Sequence, residues 1–328
     1  MNFGLLFSKC RGAAIQSRIS PVSRPAILLT LGLAVIGLIA SVATSFTVAT
    51  LPNIAPFVLG IFGLDVLSQF APQTRIVEAV QAFIYGVMYL VVTCLCGVIA
   101  AYALQRFAFP LQDQHLANAD LALGLNWEGF AHWVDNHPAV QNIFYWTYHS
   151  IAAQIALPLL VLVFAGQPSE VRTYLLAFTI AFVTTIIISA LMPAVGPIVF
   201  VDRSGFHLLQ FTGATPIEQL MRLREAGPLI LRESPGGIAT FPSFHATIAV
   251  LTPLMLRRYR RIFVALLILN AFMLGATVTE GAHYFVDIFA GAAMALAAYA
   301  LANRIIGMEG RVAEAELDAP AQALPAAR

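Results

Sequence analysis

The chain has 328 residues, of which 59% are hydrophobic and only 11% carry a charge, against about 25% charged residues in a soluble globular protein. So few polar residues cannot clothe a soluble domain of this size, and the chain is read as an integral membrane protein. Its formal net charge of +1 gives no basic surplus of the kind that nucleic-acid binding requires.

Lys9, Arg11, Arg18 and Arg24 make the start basic, and residues 1–25 are read as a cytoplasmic tail. The apolar run over 26–50 is too long for the core of a cleaved signal peptide, so it is expected to stay as a first span or signal anchor. Residues 51–70 are apolar but contain Asp65 and two prolines. They fit a crossing, a re-entrant segment or a surface segment. Further spans, each near the roughly 20 residues that cross a bilayer, are expected over 83–104, 146–165, 174–192, 238–256, 262–278 and 284–302. Cys94 and Cys96 fall two apart in one of these runs and face different sides of a helix, which argues against a shared metal or a disulfide.

Between the early and late spans, residues 120–137 mix Leu, Trp127, Phe130 and Trp133 with acidic residues and His. That pattern suits an amphipathic helix lying in the interface. Tyr148, His149 and Ser150 stand at the outer end of a span, where they are candidates for lining lipid access. From Glu309 the chain is rich in Ala, Pro and Glu and is expected to be disordered. The fold class is therefore all-α, a polytopic transmembrane bundle of about seven to eight spans.

Arg257, Arg258, Arg260 and Arg261 crowd the short turn between two spans. The positive-inside rule places that turn in the cytoplasm. Residues 242–245 and 280–283, at the far ends of the same two spans, then face outward. Counting back from the turn, a cytoplasmic N-terminus needs 51–70 to cross, which gives about eight crossings.

Both outward ends are polar. At the first, Phe241-Pro242-Ser243-Phe244-His245-Ala246 opens an apolar run. Pro242 suits a helix start, Ser243 can cap it, and the free backbone N–H groups there attract anions. At the second, His283 and Asp287 are four residues apart in Gly281-Ala282-His283-Tyr284-Phe285-Val286-Asp287. They share a helix face, where an ionised Asp fixes the imidazole tautomer and raises the basicity of the other nitrogen. Taken singly, each feature equally describes an ordinary helix start, an interfacial His or a satisfied polar pair. One hairpin with a basic turn at its base brings them together on one membrane face.

FPSFHA and GAHYFVD resemble the second and third signature motifs of the type 2 phosphatidic acid phosphatase superfamily, which includes lipid phosphatases and, by fold, vanadium haloperoxidases. The resemblance spans about residues 174–304. It implies a six-helix phosphatase-type catalytic core, with residues 146–306 as the catalytic membrane domain. Residues 26–145 would form N-terminal spans plus the interfacial segment, and 307–328 a tail. The resemblance also implies that His283 attacks phosphorus to form a phosphohistidine, that Asp287 orients it, that His245 protonates the leaving oxygen and that Ser243 holds phosphate oxygens. Substrate would be a membrane lipid phosphate reached from the bilayer.

Two departures from the family pattern matter. The Ser-Arg that usually precedes the nucleophile is Ala276-Thr277, and the Lys-x6-Arg-Pro motif gives way to Met192-Pro193-Ala194-Val195-Gly196-Pro197. Both resemble the branch containing inositol phosphorylceramide synthase, so exchange of a phosphorylated head group stands beside hydrolysis. A site of this kind normally needs cationic clamps. Arg203, Arg222, Arg224 and Arg232 are the candidates, with Arg203 and Arg232 preferred because they neighbour 193–197 and FPSFHA in sequence. Glu280 is either a structural partner for one of these arginines or a proton acceptor for an incoming alcohol. Neither metal nor cofactor is expected, since cationic side chains and amides suffice to stabilise the phosphoryl group. A non-enzymatic transporter or scaffold that keeps the fold is the alternative reading. The absence of eukaryotic sorting signals points to a bacterial inner membrane, with a periplasmic active site.

Overall fold

The computed structural model describes residues 21–49, isolated positions between 59 and 72, 74–201, 206, 214–231, 237–238 and 240–318. Residues 1–20, most of the 51–70 stretch with Asp65, both Arg203 and Arg232, and residues 319–328 lie outside the described residues.

Helices dominate. In chain order they are α1 (Arg24–Ala43), α2 (Arg75–Gln105), α3 (Asp113–Ala122), α4 (Trp127–Asp135), α5 (Pro138–His149), α6 (Ile151–Phe164), α7 (Pro168–Leu191), α8 (Ala214–Leu223), α9 (Phe244–Met255), α10 (Arg260–Thr279) and α11 (Phe285–Asp318). Two short strands, β1 (Phe46–Val48) and β2 (Leu229–Leu231), pair in parallel with Phe46 opposite Leu229. The architecture is the all-α membrane bundle expected.

Every apolar run assigned to a span outside 51–70 contains a helix, but not every helix is long enough to cross. Among the described residues, α1, α2, α7, α10 and the first part of α11 have the length and apolarity to span, and α5 with α6 makes a sixth only if their 49° bend is one broken span. Among the described residues, the shortfall against about seven to eight crossings lies at the bent α5–α6 pair and at α9, which has 12 residues, while most of 51–70 falls outside them. The start of α9 is cut back because Ser243 caps the helix, accepting from the Ala246 amide at 3.3 Å. Helix α2 instead begins earlier than hydropathy suggests. Thr74 caps it, accepting from the Val77 amide at 3.3 Å, and Glu78 complements the dipole of its first turn.

Polar contacts inside the apolar bundle fix the direction of the first two helices. The Tyr89 hydroxyl donates to the Ala26 carbonyl at 3.0 Å, and Thr30 lies 3.0 Å from Thr93, hydroxyl to hydroxyl. At the other end the Arg106 guanidinium donates to the Thr44 carbonyl at 3.3 Å. α1 and α2 therefore run parallel, and the chain leaves α1 at one membrane face and enters α2 at the other.

The main core gathers Leu159 and Leu162 of α6, Tyr174, Leu175 and Phe178 of α7, Ile248 and Leu251 of α9, and Ala295 and Ala302 of α11. Small residues on α11 let α7 and α9 pack closely against it. The interfacial segment is two helices rather than one, broken at a turn where Gly124 takes φ 73°. Its Trp127 points inward instead of lying in the interface. The ring is buried and its Nε1 donates to the Val278 carbonyl at 2.9 Å, anchoring α4 to α10. At the far end α11 stays helical past Glu309 to Asp318, where the sequence suggests disorder. Glu309 pairs with Arg172 of α7, which ties this extension to the bundle.

Candidate active site

One end of the bundle collects the C-terminal ends of α1, α2, α7 and α10 with the starts of α9 and α11. The two polar sequence clusters meet there. Ser243, at the cap of α9, places its hydroxyl 3.2 Å from Nε2 of His283. On the other side of the ring, Nδ1 lies 3.2 Å from Oδ2 of Asp287. Ser243 and Asp287 are fully buried and His283 is 5% exposed. The geometry suits one tautomer: Nδ1–H donates to the carboxylate, and Nε2 keeps a lone pair that receives the serine proton.

Local chain folding produces this arrangement. After α10 the amides of Gly281 and His283 both reach back to the Thr277 carbonyl at 3.2 Å, which closes a tight turn with Ala282 at φ 49°. Asp287 then folds back on the start of α11, where its Oδ2 also accepts from the Tyr284 amide at 3.0 Å. Its Oδ1 is buried without a partner among the described residues. α9 and α11 are joined at the same level. The Ser243 amide donates to the Asp287 carbonyl at 3.1 Å, and the Thr247 hydroxyl lies 3.0 Å from the Gly291 carbonyl.

Two aspartates that sequence reasoning passed over build the floor of the site. Asp113 is buried and accepts from the Val195 amide at 3.0 Å, the Gly196 amide at 2.8 Å and the Tyr284 hydroxyl at 3.0 Å. It ties the Pro193–Pro197 loop to the residue that follows His283. Gly196 has φ 110°, and a Cβ there would run into the Ala282 carbonyl oxygen, so only glycine brings this loop against the turn that carries His283. Asp120 caps α11 from outside, accepting from the amides of Phe285 at 2.8 Å and Val286 at 2.9 Å. Burial pushes its carboxyl above the usual range, and these two amides oppose that shift. Burial, then the contact with Asp113, drives the Tyr284 phenol upward, so it stays a donor. Asp113 and Asp120 lie seven residues apart in sequence, on one face of α3. Two acidic residues so spaced, with no cation near them in sequence, were the available signal.

His245 sits half-buried in the first turn of α9, and its ring stacks on Tyr148 with centroids 4.0 Å apart and planes 12° from parallel. The Tyr148-His149-Ser150 cluster is thus brought to the site. Glu280 is 8% exposed at the end of α10. Burial raises its carboxyl above the usual range, partly offset by His149. Among the candidate arginines, Arg224 donates to the Phe109 carbonyl at 2.6 Å. Arg222 has contacts of its own.

A profile of the PAP2 superfamily matches residues 114–301, which takes in α4 to α10, the site and most of the apolar part of α11. Neither a curated protein nor a solved structure matches the chain.

Proposed function

We propose that this chain, which belongs to the PAP2 superfamily, is a membrane phosphatase or phosphotransferase that works on a lipid phosphate through a phosphohistidine. The observation that carries the reading is the buried His283 imidazole, held by Asp287 at Nδ1 and facing Ser243 at Nε2. Nε2 of His283 attacks phosphorus as the P–O ester bond breaks. Asp287 stabilises the charge that develops on the ring, as a carboxylate does for any imidazole turned cation. The Ser243 hydroxyl, freed from Nε2 by the new N–P bond, turns its proton to a phosphoryl oxygen. His245 gives its proton to the leaving alcohol oxygen. In the second half, water or a lipid or sugar hydroxyl attacks phosphorus, the P–N bond breaks, and His245 takes the proton back.

Arg203 and Arg232 are proposed as the cationic partners of the phosphoryl oxygens, because a dianion beside Asp287 and Glu280 needs positive charge. Residues 146–306 would form the catalytic domain. The site lies at the end of α9 and α10 opposite the arginine turn, and the positive-inside rule supports reading it as periplasmic in a bacterial inner membrane. Transfer of a phosphorylated head group is supported by Ala276-Thr277 and by the Pro193–Pro197 loop, where the phosphatase branch carries its charged motifs.

The test is a panel of lipid phosphates and phospholipids given to purified protein in detergent, with free phosphate and new lipid products both scored for wild type and His283→Ala. Activity in wild type alone supports the reading, and the product tells hydrolysis from transfer. Equal activity in both proteins removes His283 as nucleophile. Inert wild type across the panel favours the non-enzymatic alternative.

A further inference from the structure

The two site histidines are held in different ways. Both ring nitrogens of His283 are engaged, by Ser243 and Asp287. The His245 ring makes no hydrogen bond among the described residues, and its aromatic contact is with Tyr148. A half-buried imidazole without hydrogen bonds turns freely about its last torsion unless a surface restrains it. Tyr148 supplies that surface, almost parallel to the ring. It is itself well fixed. Tyr148 packs with Phe144 of α5 and Ala276 of α10, just before the bend where the Ser150 hydroxyl donates to the Thr147 carbonyl at 2.6 Å.

We infer that Tyr148 is the positioning residue of the leaving-group acid: its ring, stacked flat on His245, fixes the imidazole plane while leaving both nitrogens open to substrate. This rests on the assignment of His245 as that acid. Stacking suits the task, because a hydrogen-bonded carboxylate would occupy one of the nitrogens. The requirement is for the ring, not the hydroxyl.

The chemistry gives a readout that packing alone would not move. When the P–O bond breaks, an alkyl leaving group departs as an alkoxide and needs the proton of His245. A 4-nitrophenyl leaving group departs as a stable anion and does not. Purified protein in detergent is given hexadecyl phosphate and 4-nitrophenyl phosphate, for wild type, Tyr148→Leu, Tyr148→Phe and His245→Asn. General acids contribute about 100- to 10,000-fold. Tyr148→Leu is expected to lose at least about tenfold in kcat/KM on hexadecyl phosphate and less than about threefold on 4-nitrophenyl phosphate, because kcat/KM reports the first transfer to His283 and not the later release that both esters share. Tyr148→Phe should match wild type on both. Retained 4-nitrophenyl phosphate turnover also reports that the variant is folded.

Equal losses on the two esters in Tyr148→Leu, or no loss on either, would overturn the inference while His245→Asn still discriminates between them. A loss in Tyr148→Phe as large as in Tyr148→Leu would assign the role to the hydroxyl and overturn it too. If His245→Asn shows no leaving-group dependence, or wild type turns over neither ester, the assignment of His245 falls and takes the inference with it.

Discussion

Gly291→Ala is the perturbation with the most local consequence. Gly291 sits on α11 where α9 crosses it. A Cβ built there would run into the Ser243 carbonyl oxygen, with the Ser243 carbonyl carbon at 3.2 Å and the Ala246 Cβ at 3.1 Å. The oxygen and carbon belong to the backbone of the α9 cap and cannot swing aside as a side chain can, so α9 must move off α11. That movement breaks into the Ser243 amide bond to the Asp287 carbonyl, now 3.1 Å, and opens the 3.2 Å gap between the Ser243 hydroxyl and His283 Nε2. Overpacking of this kind costs about 1–3 kcal/mol, and a displacement of about 1 Å in a catalytic constellation costs on the order of 100-fold in rate. Thermal unfolding in detergent and turnover of 4-nitrophenyl phosphate measure the two effects. Gly32→Ala on α1, where a Cβ meets nothing within 4 Å, is the matched control and should leave both unchanged. Wild-type activity in Gly291→Ala would refute the claim that the α9–α11 spacing sets the site.

Asp120→Ala removes the acceptor for two half-buried amides at the start of α11 and should lower stability by about 0.5–2 kcal/mol, the usual range for a lost cap, with Asp120→Asn falling between it and wild type in thermal unfolding. An Asp120→Ala protein as stable as wild type would show that α11 needs no outside cap. Glu280 predicts a pH effect. Its carboxyl is raised by burial, so the folded protein holds the proton where the unfolded chain has released it. The stability it contributes is full below the ordinary carboxyl range and is lost as pH rises through the raised folded value. Glu280→Gln should therefore flatten the decline of unfolding temperature across that window, and an unchanged slope would locate the titration elsewhere.

Much of the bundle was legible in the sequence because lipid exposure leaves long apolar runs that need no partner to be recognised. The His283–Asp287 pair was legible because its partners are four residues apart, although His283 lies in the turn before α11 rather than on the helix face expected. Ser243 and His245 were legible through the cap and the motif that contains them. Contacts made across the chain were not. Asp113 bonds to residues 82 and 83 positions away, and Asp120 to residues 165 and 166 away, so neither carries a local signature of its role. The bend at Ser150 was hidden because every residue around it is compatible with a continuous helix. Trp127 looked interfacial by composition, and only its bond to the Val278 carbonyl turns it inward. The helical end of α11 was missed because Ala and Glu serve helices and disordered tails alike, while the ion pair with Arg172 that settles the matter is 137 residues distant.

The central claim is that phosphorus becomes bonded to His283. Protein given a lipid phosphate labelled in its phosphoryl group, quenched in alkali within the first turnovers and digested, tests it most directly. The account predicts an acid-labile label on the peptide carrying His283, absent in His283→Ala and longer-lived in His245→Asn, where no group remains to activate the acceptor. Turnover without label, or label retained in His283→Ala, would contradict it.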